Sequence, residues 1–315
     1  MFTGCSKTLP AGQTAEVTIE EGSSTWTIAG KMSEAGVVEN PAVFTATVTE
    51  MGAEASLKPG TYIFEGGKSV REYVEILCEG PDAYSPKIVV AEGMRMRDIA
   101  KAVEKTTKGR ITESQFNNAC SDASRYADKF EFLQEVGSNS LEGFLFPKTY
   151  PASSKDSVED IIFMMLEQYK KEIDSLDYSY GLSKNFSPYD ILILASIVEK
   201  ESIDGVRAKV AGVFYNRLRE GMYLNSDATT AYELGHDPSG EEVHMNSAYS
   251  TYTNFGLPPT PICSPGKEAI QAVCHPEESN YFFFLFKRNE NGEMEYRFSE
   301  TFDEHQVAIV EMGLV

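Results

Sequence analysis

Ser187-Pro188-Tyr189-Asp190-Ile191-Leu192-Ile193-Leu194-Ala195-Ser196-Ile197-Val198-Glu199-Lys200-Glu201-Ser202 carries the sharpest helix signal in the chain. Serine suits the N-cap, proline the first turn, and an acid three residues after the serine completes a capping pair. On a helical wheel at roughly 100° per residue, with Leu194 at zero, Ile197 falls near −60°, Val198 near 40° and Glu201 near −20°. Glu201 therefore sits in the middle of the apolar stripe, while Glu199, near 140°, and Lys200, near −120°, fall off it. A carboxylate on a core-facing stripe is costly unless paired or protonated, and desolvation raises its pKa toward what a general acid needs near neutral pH. The plainer reading is that the helix ends by Glu201 and the side chain reaches solvent.

Downstream, Val206, Val210, Val213, Phe214 and Leu218 form the stripe of a second helix, which stops at Gly221 and is expected to pack on the first. Asn216 and Arg217 lie at its far end, as cleft-lining groups or as surface and capping groups. Ser226-Asp227 resembles part of a nucleophilic pair, yet reads more simply as the cap of a short helix through Tyr232. Tyr249-Ser250-Thr251-Tyr252-Thr253-Asn254 gathers rings, hydroxyls and an amide in one loop. Such a set suits a carbohydrate cleft and also suits an ordinary surface turn. Ser264-Pro265 opens another helix, and Tyr281–Phe286, Asn291-Gly292 and Tyr296–Phe298 read as a β-hairpin.

Upstream, residues 121–186 read as mainly helical, interrupted by Leu141–Pro147. The first part of the chain contains a faint repeat. The Glu-Gly pairs at 21 and 92 and the Ile-Ala pairs at 28 and 99 share one offset, 92 − 21 = 71 and 99 − 28 = 71. Between the copies, Pro59-Gly60 marks a turn before a strand, and Ser69 with Glu72 marks a helix start. The expected organisation is α+β: a tail over 1–16, small βααβ-type modules over 17–120, and a mainly helical domain with a β-hairpin over 121–315.

The chain has 28 basic and 48 acidic residues, a formal net charge of −20. That argues against a nucleic-acid partner, which requires a basic stripe. No stretch approaches 18 consecutive apolar residues. The five cysteines contain no CxxC pair and read as scattered thiols, with Cys263 and Cys274 the one pair placed to meet. The four histidines lack metal-ligand spacing, and there is no GxSxG elbow, Walker A loop or GxGxxG fingerprint, so no metal or cofactor is expected.

An ordered series of segments is similar to one family, the YceG-like endolytic murein transglycosylases (the MltG family). These are Lys58–Tyr62, Glu92–Arg95, Leu141–Tyr150 (LEGFLFPKTY), Leu194–Ser202 (LASIVEKES), Val210–Leu218 (VAGVFYNRL), Leu224–Gly235 and Tyr249–Gly266. The resemblance implies LysM-like modules followed by a lysozyme-like catalytic domain, with Glu201 as the catalytic acid–base residue. It implies cleavage of the MurNAc–GlcNAc bond of peptidoglycan glycan strands to 1,6-anhydro ends. Asn216, Ser226, Asp227, Tyr249, Thr251 and Tyr252 would orient the glycan. Family members work outside the bacterial membrane on an N-terminal anchor, which this sequence lacks, and cell-wall synthases are the expected partners. Rival expectations are a lysozyme-type hydrolase using Asp227 as second acid, and a non-catalytic LysM-like wall-binding scaffold. Lys148, Ala228, Ser250 and Tyr296 depart from the family's usual Asp, Pro, Asn and His.

Overall fold

The computed structural model describes residues 8–81, 86–153 and 155–314; Cys5 lies outside them. It is an α+β protein whose chain forms two compact units, one of residues 1–88 and 151–156, the other of 89–150 and 157–315. The division falls after Ile88, not near residue 120 as the sequence suggests. Helices α4 (Met96–Thr106) and α5 (Glu113–Cys120) pack on each other, and α5 packs on α6 (Val158–Ile173), inside the second unit.

In the first unit, β1 (Thr14–Ile19) and β2 (Gly60–Glu65) pair antiparallel, from Thr14 opposite Glu65 to Ile19 opposite Gly60. Alternation turns Val17 and Ile19, and Tyr62 and Phe64, to the buried face. Against that face lie α1 (Thr25–Glu34), α2 (Pro41–Glu50) and α3 (Val70–Glu79), through Ile28, Met32, Phe44, Val48, Val74 and Leu77. Ser69 and Glu72 make the expected capping box at α3.

The sequence repeat reappears as element order. Strand β3 (Lys87–Val90), α4, α5 and β4 (Lys148–Pro151) repeat the strand–helix–helix–strand series, and β3 pairs with β4. Gly22 and Gly93 occupy equivalent turns with φ of 76° and 73°, a left-handed conformation that side chains with a Cβ resist. Between α5 and β4 the chain runs through two short 3₁₀ turns, so 121–147 is less helical than its sequence suggests.

The rest of the second unit is helical. After α6 and the short α7 (Ser179–Ser183) comes α8 (Pro188–Glu201), capped by the Ser187–Asp190 box. Every residue from Ile191 to Val198 is buried, because α8 is covered by α9 (Arg207–Arg219) and α11 (Lys267–Cys274), which also pack on each other. Each such aliphatic side chain contributes about 1.5–3 kcal/mol on full burial. The hairpin β5 (Phe283–Arg288) and β6 (Met294–Ser299) packs on α9, with the Phe214 and Phe284 rings edge to face at 5.7 Å. Helix α12 (Phe302–Glu311) follows. Cys263 and Cys274 are both buried free thiols. The pairing that the sequence allowed for them is therefore not formed.

Candidate active site

Helix α8 ends at Glu201, where the sequence left two outcomes open, and the half-buried carboxylate turns into a cleft instead of bulk water. The cleft has a volume of about 690 Å³, in the range of small-molecule sites, and is bordered by Arg95, Lys200, Arg217, Asp227 and Tyr252. Strand β5 contributes Phe284, Leu285 and Phe286 to one wall. A depression of about 720 Å³ near Phe132 and Tyr178 shares no residue with this cleft. We assign the site to the Glu201 cleft because it holds the secluded carboxylate.

Facing Glu201 is the start of α10 (Asp227–Leu234). Ser226 stands at the N-cap, as its sequence suggests, but its hydroxyl makes no cap bond. It donates to Glu201 Oε1 at 2.5 Å. The Ala228 amide, one of the unpaired N–H groups of the first helical turn, also donates to the Glu201 carboxylate. Glu201 thus takes the place of the capping side chain of α10.

Two opposing effects set its proton affinity. Desolvation pushes the pKa up, and the negative charge of Asp227 adds to this; the Ser226 and Ala228 donors and the Arg217 charge pull it down. Burial wins, and the carboxyl lies above its ordinary value. The Arg217 guanidinium donates to the carbonyls of Leu224 and Phe282, both at 2.6 Å. Burial lowers its pKa to about 10, which leaves it charged at neutral pH. Tyr296 of β6 donates through its hydroxyl to the Glu201 carbonyl at 3.2 Å, tying the hairpin to the end of α8.

The other sequence candidates divide. Asp227 and Tyr252 border the cleft, joined by a 2.6 Å bond from the tyrosine hydroxyl to Asp227 Oδ1. Thr251 stands behind Ser226: its Oγ1 accepts from the Ser226 amide at 3.0 Å and meets Thr229 Oγ1 at 3.0 Å. Tyr249 is turned away, its hydroxyl paired with Thr260 at 2.8 Å. Asn216 is a correction. Its amide donates to the Ser279 and Tyr281 carbonyls at 2.8 and 2.9 Å, and it holds the approach to the hairpin instead of bordering the cleft. Ser250 is buried, donating to the Val243 carbonyl at 2.5 Å.

Three groups escaped the sequence reading. Arg95 borders the cleft and donates to the Ala231 and Tyr232 carbonyls of α10 at 3.2 and 3.3 Å. Glu142, within the LEGFLFPKTY stretch, is buried: it accepts from the Met96 amide at the start of α4 and from the Tyr232 hydroxyl, and burial raises its pKa to about 7. Glu199 accepts from the Gly266 amide at 3.0 Å and pairs with Arg207 at 3.5 Å. It is off the stripe of α8, yet the start of α11 covers it. A charged residue inside a conspicuously apolar segment was the available signal for Glu142.

The YceG-like family profile matches residues 17–311. An endolytic murein transglycosylase of Bacillus subtilis is 31% identical over 308 residues, which is 94% of this chain and 84% of the relative. The enzyme of the same name from Streptococcus pneumoniae strain R6 is 30% identical over 296 residues; the match takes in 85% of this chain and 53% of that protein, so the chain spans about half its length. A crystal structure of a YceG-like protein from Listeria monocytogenes superposes with a TM-score of 0.62 at 28% identity, over 94% of this chain and 99% of that one. With the matched profile covering nearly its whole length, the chain belongs to the YceG-like family.

Proposed function

We propose that this protein is an endolytic murein transglycosylase in which Glu201 is the single acid–base residue. The observation that carries the proposal is a desolvated carboxyl facing a cleft, with two donors, the Ser226 hydroxyl and the Ala228 amide, aimed at its charged form. Desolvation favours the protonated form that a general acid needs, and the two donors stabilise the carboxylate once it has given its proton away. The relatives' printed activity is in keeping with this.

Protonated Glu201 donates to the glycosidic oxygen between MurNAc and GlcNAc as the bond from the anomeric carbon to that oxygen breaks. The C6 hydroxyl oxygen of the same MurNAc bonds to the anomeric carbon, and its proton passes to the Glu201 carboxylate. A 1,6-anhydro ring and a free 4-hydroxyl result, with the acid regenerated and no water consumed. Asp227 and Tyr252 border the cleft where they would hold the sugar hydroxyls, with Ser226 and Thr251 fixing the turn.

In this reading the βααβ units are LysM-like, as the antiparallel β1–β2 pair enclosing α1 and α2 suits. The helical part is a lysozyme-like domain, and the enzyme works outside the membrane beside cell-wall synthases. Among the described residues, no helix is long and apolar enough to cross a membrane. One observation favours a second reading: Asp227 shares the cleft with Glu201, as the second acid of a hydrolase would.

Mass spectrometry of purified glycan strands separates the two. Wild type is expected to create 1,6-anhydro ends, and Glu201→Gln none while keeping its circular dichroism spectrum. New reducing ends would instead assign a hydrolase with Asp227 activating water. Cleavage by Glu201→Gln would remove Glu201 from its role.

A further inference from the structure

The segment that brings Ser226 to Glu201 and the loop that brings Tyr252 to the cleft are bonded side by side. The Ser226 amide donates to Thr251 Oγ1 at 3.0 Å and the Asn225 amide to the Thr251 carbonyl at 3.2 Å. Asn225 borders the cleft in a left-handed conformation, φ 48°, which Asn tolerates better than most side chains. Just beyond this pairing, the same two segments put two rings in contact. Tyr223 and Phe255 stack with centroids 3.9 Å apart and planes within 13° of parallel. Neither ring borders the cleft itself.

The stack is held out, not folded in. Phe255 is 63% exposed, a large apolar area to leave in water. The loop before it is pinned, because the Asn254 amide donates to the Ser247 and Ser250 carbonyls at 2.7 and 2.9 Å. Tyr223 covers one face of Phe255, so that ring is fixed in orientation before anything binds. A flat, oriented aromatic surface matches the face of a pyranose ring, whose axial C–H groups are apolar. Tyr223 is three residues from Ser226, at most about 10 Å of chain, which a strand bound across the cleft spans.

We propose that Tyr223 and Phe255 form a second sugar-binding platform, which stacks a saccharide ring of the glycan strand away from the bond that is cut. The proposal rests on the reading of the substrate as a glycan and extends it with a subsite. Such a platform selects for length: a strand long enough to reach it gains a contact that a shorter one lacks.

The test compares wild type with Phe255→Ala, Phe255→Leu and Phe255→Trp on uncross-linked glycan strands of graded length. Because the ring is exposed, these changes leave the fold intact. Phe255→Ala is expected to lower kcat/KM on long strands roughly fivefold to tenfold, as loss of one aromatic stacking contact implies, and to leave the shortest cleaved strand unaffected. Phe255→Trp should restore the preference for length, and Phe255→Leu, apolar but not flat, should not. Equal effects on long and short strands, or none on either, would overturn the platform. Calorimetric binding of long strands to Glu201→Gln, with and without Phe255→Ala, separates this from the catalytic assignment. A fivefold to tenfold weaker Kd supports the platform even if wild type cuts nothing, whereas an unchanged Kd removes it even if wild type makes anhydro ends.

Discussion

Glu201 works only if its carboxyl holds a proton at rest and is tolerated without one, and Ser226 is the residue that adjusts this balance. Its hydroxyl favours the charged form, so removing it should raise the carboxyl's pKa further above its ordinary value. Ser226→Ala is therefore expected to move the alkaline limb of the pH–rate profile to higher pH. The maximal rate should fall about 10- to 100-fold, since the carboxylate formed in the first step loses a charge-assisted hydrogen bond of about 1.5–3 kcal/mol. An alkaline limb that stays in place or moves down would mean that Ser226 does not act on Glu201. The side of α8 that Glu201 occupies was legible in the sequence, because helical period alone decides it. The target of the Ser226 hydroxyl was not, because a residue 25 positions away competes with the local cap for the same group.

At the scale of elements, the signals read correctly are those confined to one turn of chain. The capping boxes of α3 and α8, the stop of α9 at Gly221 and the Asn291-Gly292 turn depend on neighbours within a few residues. Asn216 was misread because its partners lie 63 and 65 residues away. The division after Ile88 was missed because what α4 and α5 pack on is not written in their own sequences. Gly212 shows how tightly such contacts bind. It lies mid-way along α9, where glycine costs helix stability, and a Cβ there would stand 2.2 Å from the Glu277 carbonyl oxygen. The opposing atom is backbone, and the Glu277 amide is itself bonded to the Ala208 carbonyl at 2.9 Å. Gly212→Ala should therefore destabilise by about 1–3 kcal/mol despite alanine's better helix propensity. Chemical denaturation checks this, and a more stable variant would show that the approach of residue 277 relaxes freely.

For the whole molecule, a net charge of −20 means that self-repulsion grows as carboxyls ionise, and one buried acid adds a specific term with the same sign. Glu142 is held by the Met96 amide and the Tyr232 hydroxyl, yet burial outweighs these donors and raises its pKa from the ordinary 4.5 to about 7. Between those two values the folded protein binds this proton and the unfolded chain does not, so stability falls as pH rises. The contribution is fully present below about pH 4.5 and lost on passing about pH 7, and it amounts to roughly 3 kcal/mol. Glu142→Gln keeps an acceptor for the Met96 amide but carries no proton to lose. Its thermal midpoint should depend on pH less steeply than that of wild type between pH 4.5 and 7, with the two curves diverging most near pH 7. General repulsion is screened by salt, whereas the effect at a buried group is screened far less. Repeating both curves at high ionic strength should therefore flatten the part they share and leave the difference between them. A difference that vanishes with salt, or that never appears, would mean that Glu142 ionises in the folded protein as it does in the unfolded chain.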